Sequence, residues 1–176
     1  MTTGQTMLTI GAMMLVTTVL INYYRLMSAT GDDIANAQDG ILATTIATSY
    51  MELANGLAFD AYTDTAHVSP TQKNLLTAAN ALGRESSNED SVHKFDDYDD
   101  FNGFSIEREA GGTGRRFRTQ FKVYYVQPNN VSAYSGNREF VKRMDIKIWR
   151  TYPVPEPNSR LDTLKVSQVR GYFHFD

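Results

Sequence analysis

Residues 2–24 read TTGQTMLTIGAMMLVTTVLINYY and hold no charged side chain. Within them, 7–21 is apolar except at Thr9, Gly11, Thr17 and Thr18. The apolar positions leave no consistent polar face, which is not the pattern of a surface helix on a globular domain. A helix over 4–24 spans about 30 Å, the thickness of a bilayer's hydrocarbon core. The segment is predicted to be buried in lipid or against other apolar helices, or in each at different times. After Met27 the helical period persists but becomes amphipathic. Ile34, Ile41, Leu42, Thr45, Ile46, Ser49, Leu53 and Leu57 recur at three- and four-residue steps, and Ala35, Ala37, Ala43 and Ala47 raise helix propensity. These patterns predict one helix over 4–59, weakest at 29–33, where Thr30, Gly31, Asp32 and Asp33 are poor mid-helix residues. Gly31 alone costs about 1 kcal/mol relative to alanine. That point is read as a kink, a break into two helices, or a segment that melts on assembly.

Residues 61–68 read as a polar connection. Ser69-Pro70 has the arrangement of a helix start, with a helix predicted over 71–82 and Gly83 as its stop. Residues 84–102 form an acidic loop, RESSNEDSVHKFDDYDDFN, in which seven of 19 residues are Asp or Glu. Phe95, Tyr98 and Phe101 interleave with the acids, so the loop is expected to be ordered by its aromatics. After Gly103 the period becomes two. Phe104 and Ile106 open a strand, and Gly111-Gly112-Thr113-Gly114 is a turn. Over 115–126, Phe117, Thr119, Phe121, Val123 and Tyr125 share one face. A loop is expected over 127–137. A third strand over 138–152 turns Phe140, Met144, Ile146 and Ile148 inward, ended by Pro153, Pro155 and Pro157. A fourth over 161–175 changes phase between Val166 and Val169, which predicts a bulge at 167–171. The helix-then-strands order gives an α+β fold with an antiparallel meander, one face covered by helix and the other wet.

Composition narrows the chemistry. With 17 basic and 20 acidic residues the net charge is −3, and the basic residues interleave with apolar ones on strands, so no nucleic-acid partner is expected. There is no cysteine, which removes disulfides, thiolate metal sites and cysteine nucleophiles. Residues 1–5 lack a basic n-region, and Asn22, Tyr23, Tyr24 and Arg25 look like an interfacial border with aromatic anchors, not a signal-peptidase site. Asp96, Asp97, Asp99 and Asp100, with Asn102, are the densest carboxylate cluster. Hard oxygen ligands suit calcium, although the spacing is not that of an EF-hand. The competing reading is a solvated acidic loop whose side chains cap turns. His67, His93 and His174 have no metal-ligand spacing. No motif frames a Ser-His-Asp site, and the glycine cluster precedes a strand, unlike a phosphate-binding loop. No catalytic residue is expected, and calcium is the one cofactor considered. Asn130-Val131-Ser132 is a glycosylation sequon that matters only where that machinery exists.

The whole layout resembles the type IV pilin and type II secretion pseudopilin superfamily. The resemblance rests on the apolar half-helix, its amphipathic continuation, the acidic loop and the strands. Locally, Gly4-Gln5-Thr6-Met7-Leu8-Thr9 can be laid on the family's processing site, with Gln5 in place of the usual phenylalanine and Thr9 in place of the usual glutamate. The three residues before Gly4 hold no basic side chain of the kind the family's leader carries, and the apolar half has no mid-helix proline. Residues 96–103, DDYDDFNG, look like the Asp-rich segment before the sheet in many members. The resemblance implies a pilin-like fold with a protruding apolar half, 1–27, and a globular head, 28–176. The head divides into an αβ-loop, 61–102, and a four-stranded sheet, 103–176. It implies a subunit of an extracellular, cell-surface filament that passes through the cytoplasmic membrane. Its partners would be copies of itself and the pilus or secretion assembly machinery. The assembly surface would comprise Thr6, Met7, Leu8, Ile10, Gly11, Met13, Met14, Leu15, Val16, Thr17, Thr18, Val19, Leu20 and Ile21. Thr6, Gly11, Ala12, Thr17 and Thr18 would permit close helix approach and interhelical hydrogen bonds. The rival expectations are a minor pilin or pseudopilin, and a single-pass membrane protein carrying a binding domain.

Overall fold

The computed structural model describes residues 2–154 and 163–173. Pro155, Pro157, Leu161, His174 and Phe175 lie outside the described residues, and so do both ends of the strand expected over 161–175. The chain divides into two compact units, Met1–Asp39 and Gly40–Asp176. The first helix, α1 (Thr3–Gly56), is continuous and contributes to both. No break occurs at 29–33. One glycine and two aspartates cost too little to interrupt a helix this long, and the Thr30 hydroxyl donates to the Leu26 carbonyl at 2.9 Å.

In the first unit every described residue through Ile34 is exposed. Its first turn is capped locally: the Thr2 N–H donates to Gln5 Oε1 at 3.3 Å, the return half of a capping box.

The second unit is built on the sheet. Strands β1 (Ser105–Glu109), β2 (Arg116–Gln127), β3 (Asn130–Tyr134), β4 (Val141–Tyr152) and β5 (Leu164–Gly171) run in the order β1-β2-β4-β5, with β3 also paired to β2. All pairings are antiparallel. Among the described residues five strands replace the expected four, because 130–134, read as loop, folds back on the end of β2. Gly111, Gly112 and Gly114 adopt φ of +54°, +71° and +72°, and the β1–β2 hairpin closes through them. The predicted bulge in β5 is absent. Its register with β4 is unbroken from Ile148↔Leu164 to Val141↔Gly171. The inward phase simply continues from Leu164 and Val166 into two polar residues, Gln168 and Arg170, which hydrophobicity alone cannot follow.

The 40–56 segment of α1 covers the sheet with small residues. Ala43, Ala47 and Ala54 are buried against Phe121, Val123, Met144, Ile146 and Ile148. Their lack of bulk lets the backbone approach closely, while Leu42, Ile46, Tyr50, Met51 and Leu57 fill the sides. Of the residues expected on the inner face, Ile34, Ile41 and Leu53 are exposed. Aromatic pairs tie the acidic loop to this core. Phe95 meets Phe101 within the loop and Phe104 beyond it edge-to-face at 5.0 Å. Phe101 lies 5.1 Å from Phe121, and Tyr50 of α1 packs edge-to-face on the same Phe121 ring at 5.0 Å. Each adds about 0.5–1.5 kcal/mol beyond its burial.

Two expectations for the connecting region fail. A short helix, α2 (Ala61–Thr65), capped by Asp60, stands where a polar connection was expected. The helix expected over 71–82 reduces to a single 3-10 turn, Lys73–Leu75. Tertiary partners have taken the backbone groups it would need. The Thr77 N–H goes to Asp60, the Leu76 carbonyl accepts from Arg138 Nε at 2.6 Å, and the Thr77 carbonyl accepts from the Tyr125 hydroxyl at 2.9 Å.

The end of α1 is closed from the sheet. Arg170 reaches from β5 to donate to the carbonyls of Ala54 at 2.7 Å and Ala58 at 3.3 Å, and to that of Leu57. An Arg170→Met variant leaves these acceptors without their cation, and should destabilise the head by about 2–3 kcal/mol. Arg170→Lys should recover part of that loss. Urea unfolding of the two variants checks it.

Candidate functional site

The apolar half of α1 carries every residue of the expected assembly surface. Thr6, Met7, Leu8, Ile10, Gly11, Met13, Met14, Leu15, Val16, Thr17, Thr18, Val19, Leu20 and Ile21 are all exposed. They point to all sides of the helix, as a run without a polar face must. Gly4 and Gln5 occupy its exposed first turn. The threonines do not leave their hydroxyl protons outward. Thr17 donates to the Met13 carbonyl and Thr18 to the Met14 carbonyl, each at 2.8 Å. Thr9 donates to Thr6 and Gln5, and Thr6 to Thr3. Such back-bonding uses the donor inside the helix and turns the methyl group out. Among the described residues, α1 is the one helix long and apolar enough to cross a membrane, with a mean hydropathy of 1.6 in its most apolar window. Its leading segment is suited to membrane association.

The second constellation is a buried polar layer in the head. Across the sheet, Tyr125, Lys142 and Arg170 stand in one register row. Phe59 and Asp60, just past α1, lie over this row. The acidic loop closes it: Ala58 pairs with Asp97 in an isolated bridge, with the Tyr98 N–H donating to the Ala58 carbonyl at 3.0 Å. Lys142 is fully buried. Its ammonium donates to Asp60 Oδ2 at 2.9 Å, to the Phe59 carbonyl at 2.8 Å and to Asp99 Oδ1, and it lies 4.6 Å from the Phe59 ring centre.

Asp60 is the best satisfied of the acids. Thr77 donates to it through its N–H and hydroxyl and Tyr62 through its N–H, and the Tyr125 hydroxyl shares its one proton between this carboxylate and the Thr77 carbonyl. Burial pushes its carboxyl up, but the Lys142 charge and these hydrogen bonds outweigh burial and hold it below the usual range. The loop acids go the other way. Burial, then the Asp99 charge, pushes Asp97 up to about 8. Burial raises Asp99 despite its contact with Lys142. Burial also raises Asp100, to about 6, and Glu85, to about 7, where the charges of Asp99 and Asp100 add to it. Asp96 stays exposed, and its carbonyl accepts the Ala58 N–H.

A pH dependence follows. Free carboxylates titrate near 4. Between that value and about 8 the folded chain binds protons on Asp97, Glu85 and Asp100 that the unfolded chain has released. The stability from these groups is complete below the unfolded pKa and is lost as pH rises through the folded one. In a chelating buffer the melting temperature of the full chain should fall from pH 5 to pH 8. A flat or rising profile contradicts this. Asp60 acts oppositely, and its contribution is lost only at more acid pH.

The cluster 96–100 was legible as a cluster but not as a buried one, and Lys142 was passed over. The signal was present: Lys142 falls on the inward phase of Phe140, Met144, Ile146 and Ile148, where a charge demands a partner. Asn102 serves the sheet. Its Oδ1 accepts the Val123 N–H at 3.0 Å just beyond the last β1 pairing, and its Nδ2 donates to the Leu82 carbonyl at 2.9 Å. His67 and His93 are exposed. Comparison of the chain with family models, curated proteins and solved structures yields no match.

Proposed function

We propose that this chain is the structural subunit of an extracellular filament built like a type IV pilus, assembled through the apolar half of α1. One observation carries the reading: ten large apolar side chains between Met7 and Ile21 are exposed, with no polar face among them. At about 1.5–3 kcal/mol for each side chain left in water, such a helix must find lipid or other helices. Before assembly the membrane supplies the apolar surroundings. Afterwards copies of the same helix supply them, and a repeated contact that does not close on itself generates a helical polymer. Spent threonine hydroxyls and the absent side chain of Gly11 favour close helix approach. The head, with its charged outer strand faces, forms the coat. Shearing cells that express the chain, followed by negative-stain microscopy, tests this. Filaments containing the chain are expected in the sheared fraction. A chain found only as a detergent-extracted monomer would favour the single-pass anchor instead.

A further inference from the structure

We propose that Glu85, Asp97 and Asp99, flanked by Asp96 and Asp100, form a calcium site on the head. A cluster of acids alone says little, since acidic loops are common on protein surfaces. Here the acids are inside, and each is left half used. Asp97 Oδ1 accepts the N–H groups of Asp99 at 2.7 Å and Asp100 at 3.1 Å, while its Oδ2 has no partner. Asp99 Oδ1 accepts from Lys142, while its Oδ2 has none. Asp100 Oδ2 accepts the N–H groups of Asp96 at 3.0 Å and Asp97 at 3.3 Å, while its Oδ1 has none. All three residues are fully buried. A buried carboxylate oxygen without a donor costs more than a hydrogen bond returns, so each requires an occupant, a proton at lower pH or a cation above it.

The spacing identifies that occupant. One carboxylate oxygen from each of Glu85, Asp97 and Asp99 lies within 4.8 Å of the other two, and the same holds for Glu85, Asp96 and Asp100. Oxygens bound to one calcium at about 2.3–2.6 Å can be no farther apart than about 5 Å. Glu85 belongs to both groups and lies at the exposed edge, where an ion would enter. The donor set is all oxygen, which suits a hard cation and not zinc or copper. Magnesium prefers a small octahedral shell rich in water, whereas calcium accepts several carboxylates in irregular geometry. Charge agrees. Asp60, Asp97 and Asp99 share the charge of the buried Lys142, with Arg170 beside Asp97, while Asp100 and Glu85 add acid without adding a cation. A divalent ion offsets that excess.

The inference stands apart from the filament reading, because the full chain held monomeric in detergent can answer it. Equilibrium binding of calcium at pH 7.5 should give one ion per chain, and 1 mM calcium should raise the melting temperature by about 5 °C or more over chelator. Magnesium at the same concentration should give less than half that shift. Glu85→Gln, at an exposed position, should fold normally and weaken calcium binding at least tenfold. No calcium-dependent shift, an equal shift with magnesium, or unchanged affinity in Glu85→Gln overturns the assignment.

Discussion

Replacing Lys142 with methionine should destabilise the head by about 3–5 kcal/mol, the cost of breaking a buried ion pair from one side. Methionine fills nearly the same volume, so little of the loss comes from a cavity. What remains is Asp60 and Asp99, both fully buried, with no ammonium between them. The two must then protonate or repel, and the Phe59 carbonyl also loses its donor. For a domain of this size the loss corresponds to a melting temperature lower by roughly 10 °C. Adding Asp60→Asn and Asp99→Asn should recover part of it, because neutralising the whole group removes the charge that Lys142 offset. Thermal unfolding followed through Trp149 fluorescence measures both changes. A loss below about 1 kcal/mol for the single variant would mean that water reaches Lys142 and that the layer is not sealed.

The periodic parts of the chain were readable and the polar exceptions were not. The alternation of Phe117, Thr119, Phe121, Val123 and Tyr125 placed β2 with its buried face correct, because period-two burial depends only on side-chain polarity. The same rule failed in β5, where Gln168 and Arg170 occupy inward positions and imitate a bulge. It passed over Lys142 for the same reason. Arg170 and Lys142 are tolerated inside because partners distant in sequence receive them: Arg170 by the end of α1, Lys142 by Asp60 and Asp99. Pairings across 43 to 116 residues leave no local trace. The lost helix at 71–82 repeats the point, since its propensity was real but Asp60, Arg138 and Tyr125 claim its backbone. The acidic loop was legible as ordered through Phe95, Tyr98 and Phe101. Burying those aromatics carried the neighbouring aspartates inside with them.

A Thr17→Lys variant should reach the membrane as the parent chain does and yield no filaments. Thr17 sits near the middle of the apolar run and is exposed there. In a bilayer, a lysine at that depth costs about 3 kcal/mol, moderated by its long stem reaching toward the interface. Between sibling helices that escape is closed. Each copy would bring another lysine to the same level, so the desolvation cost is joined by like-charge repulsion at every repeat. The membrane fraction should hold the variant at parental levels while the sheared fraction loses it at least tenfold. Thr17→Val separates the possible roles of the threonine. Its hydroxyl already donates to the Met13 carbonyl within its own helix, so valine keeps the shape and removes only an internal bond. Filament yield should stay within about twofold. If valine abolishes assembly, the hydroxyl is bonding across helices and the packing surface is not a purely apolar one. If lysine assembles as well as threonine does, the apolar half of α1 is not the filament core.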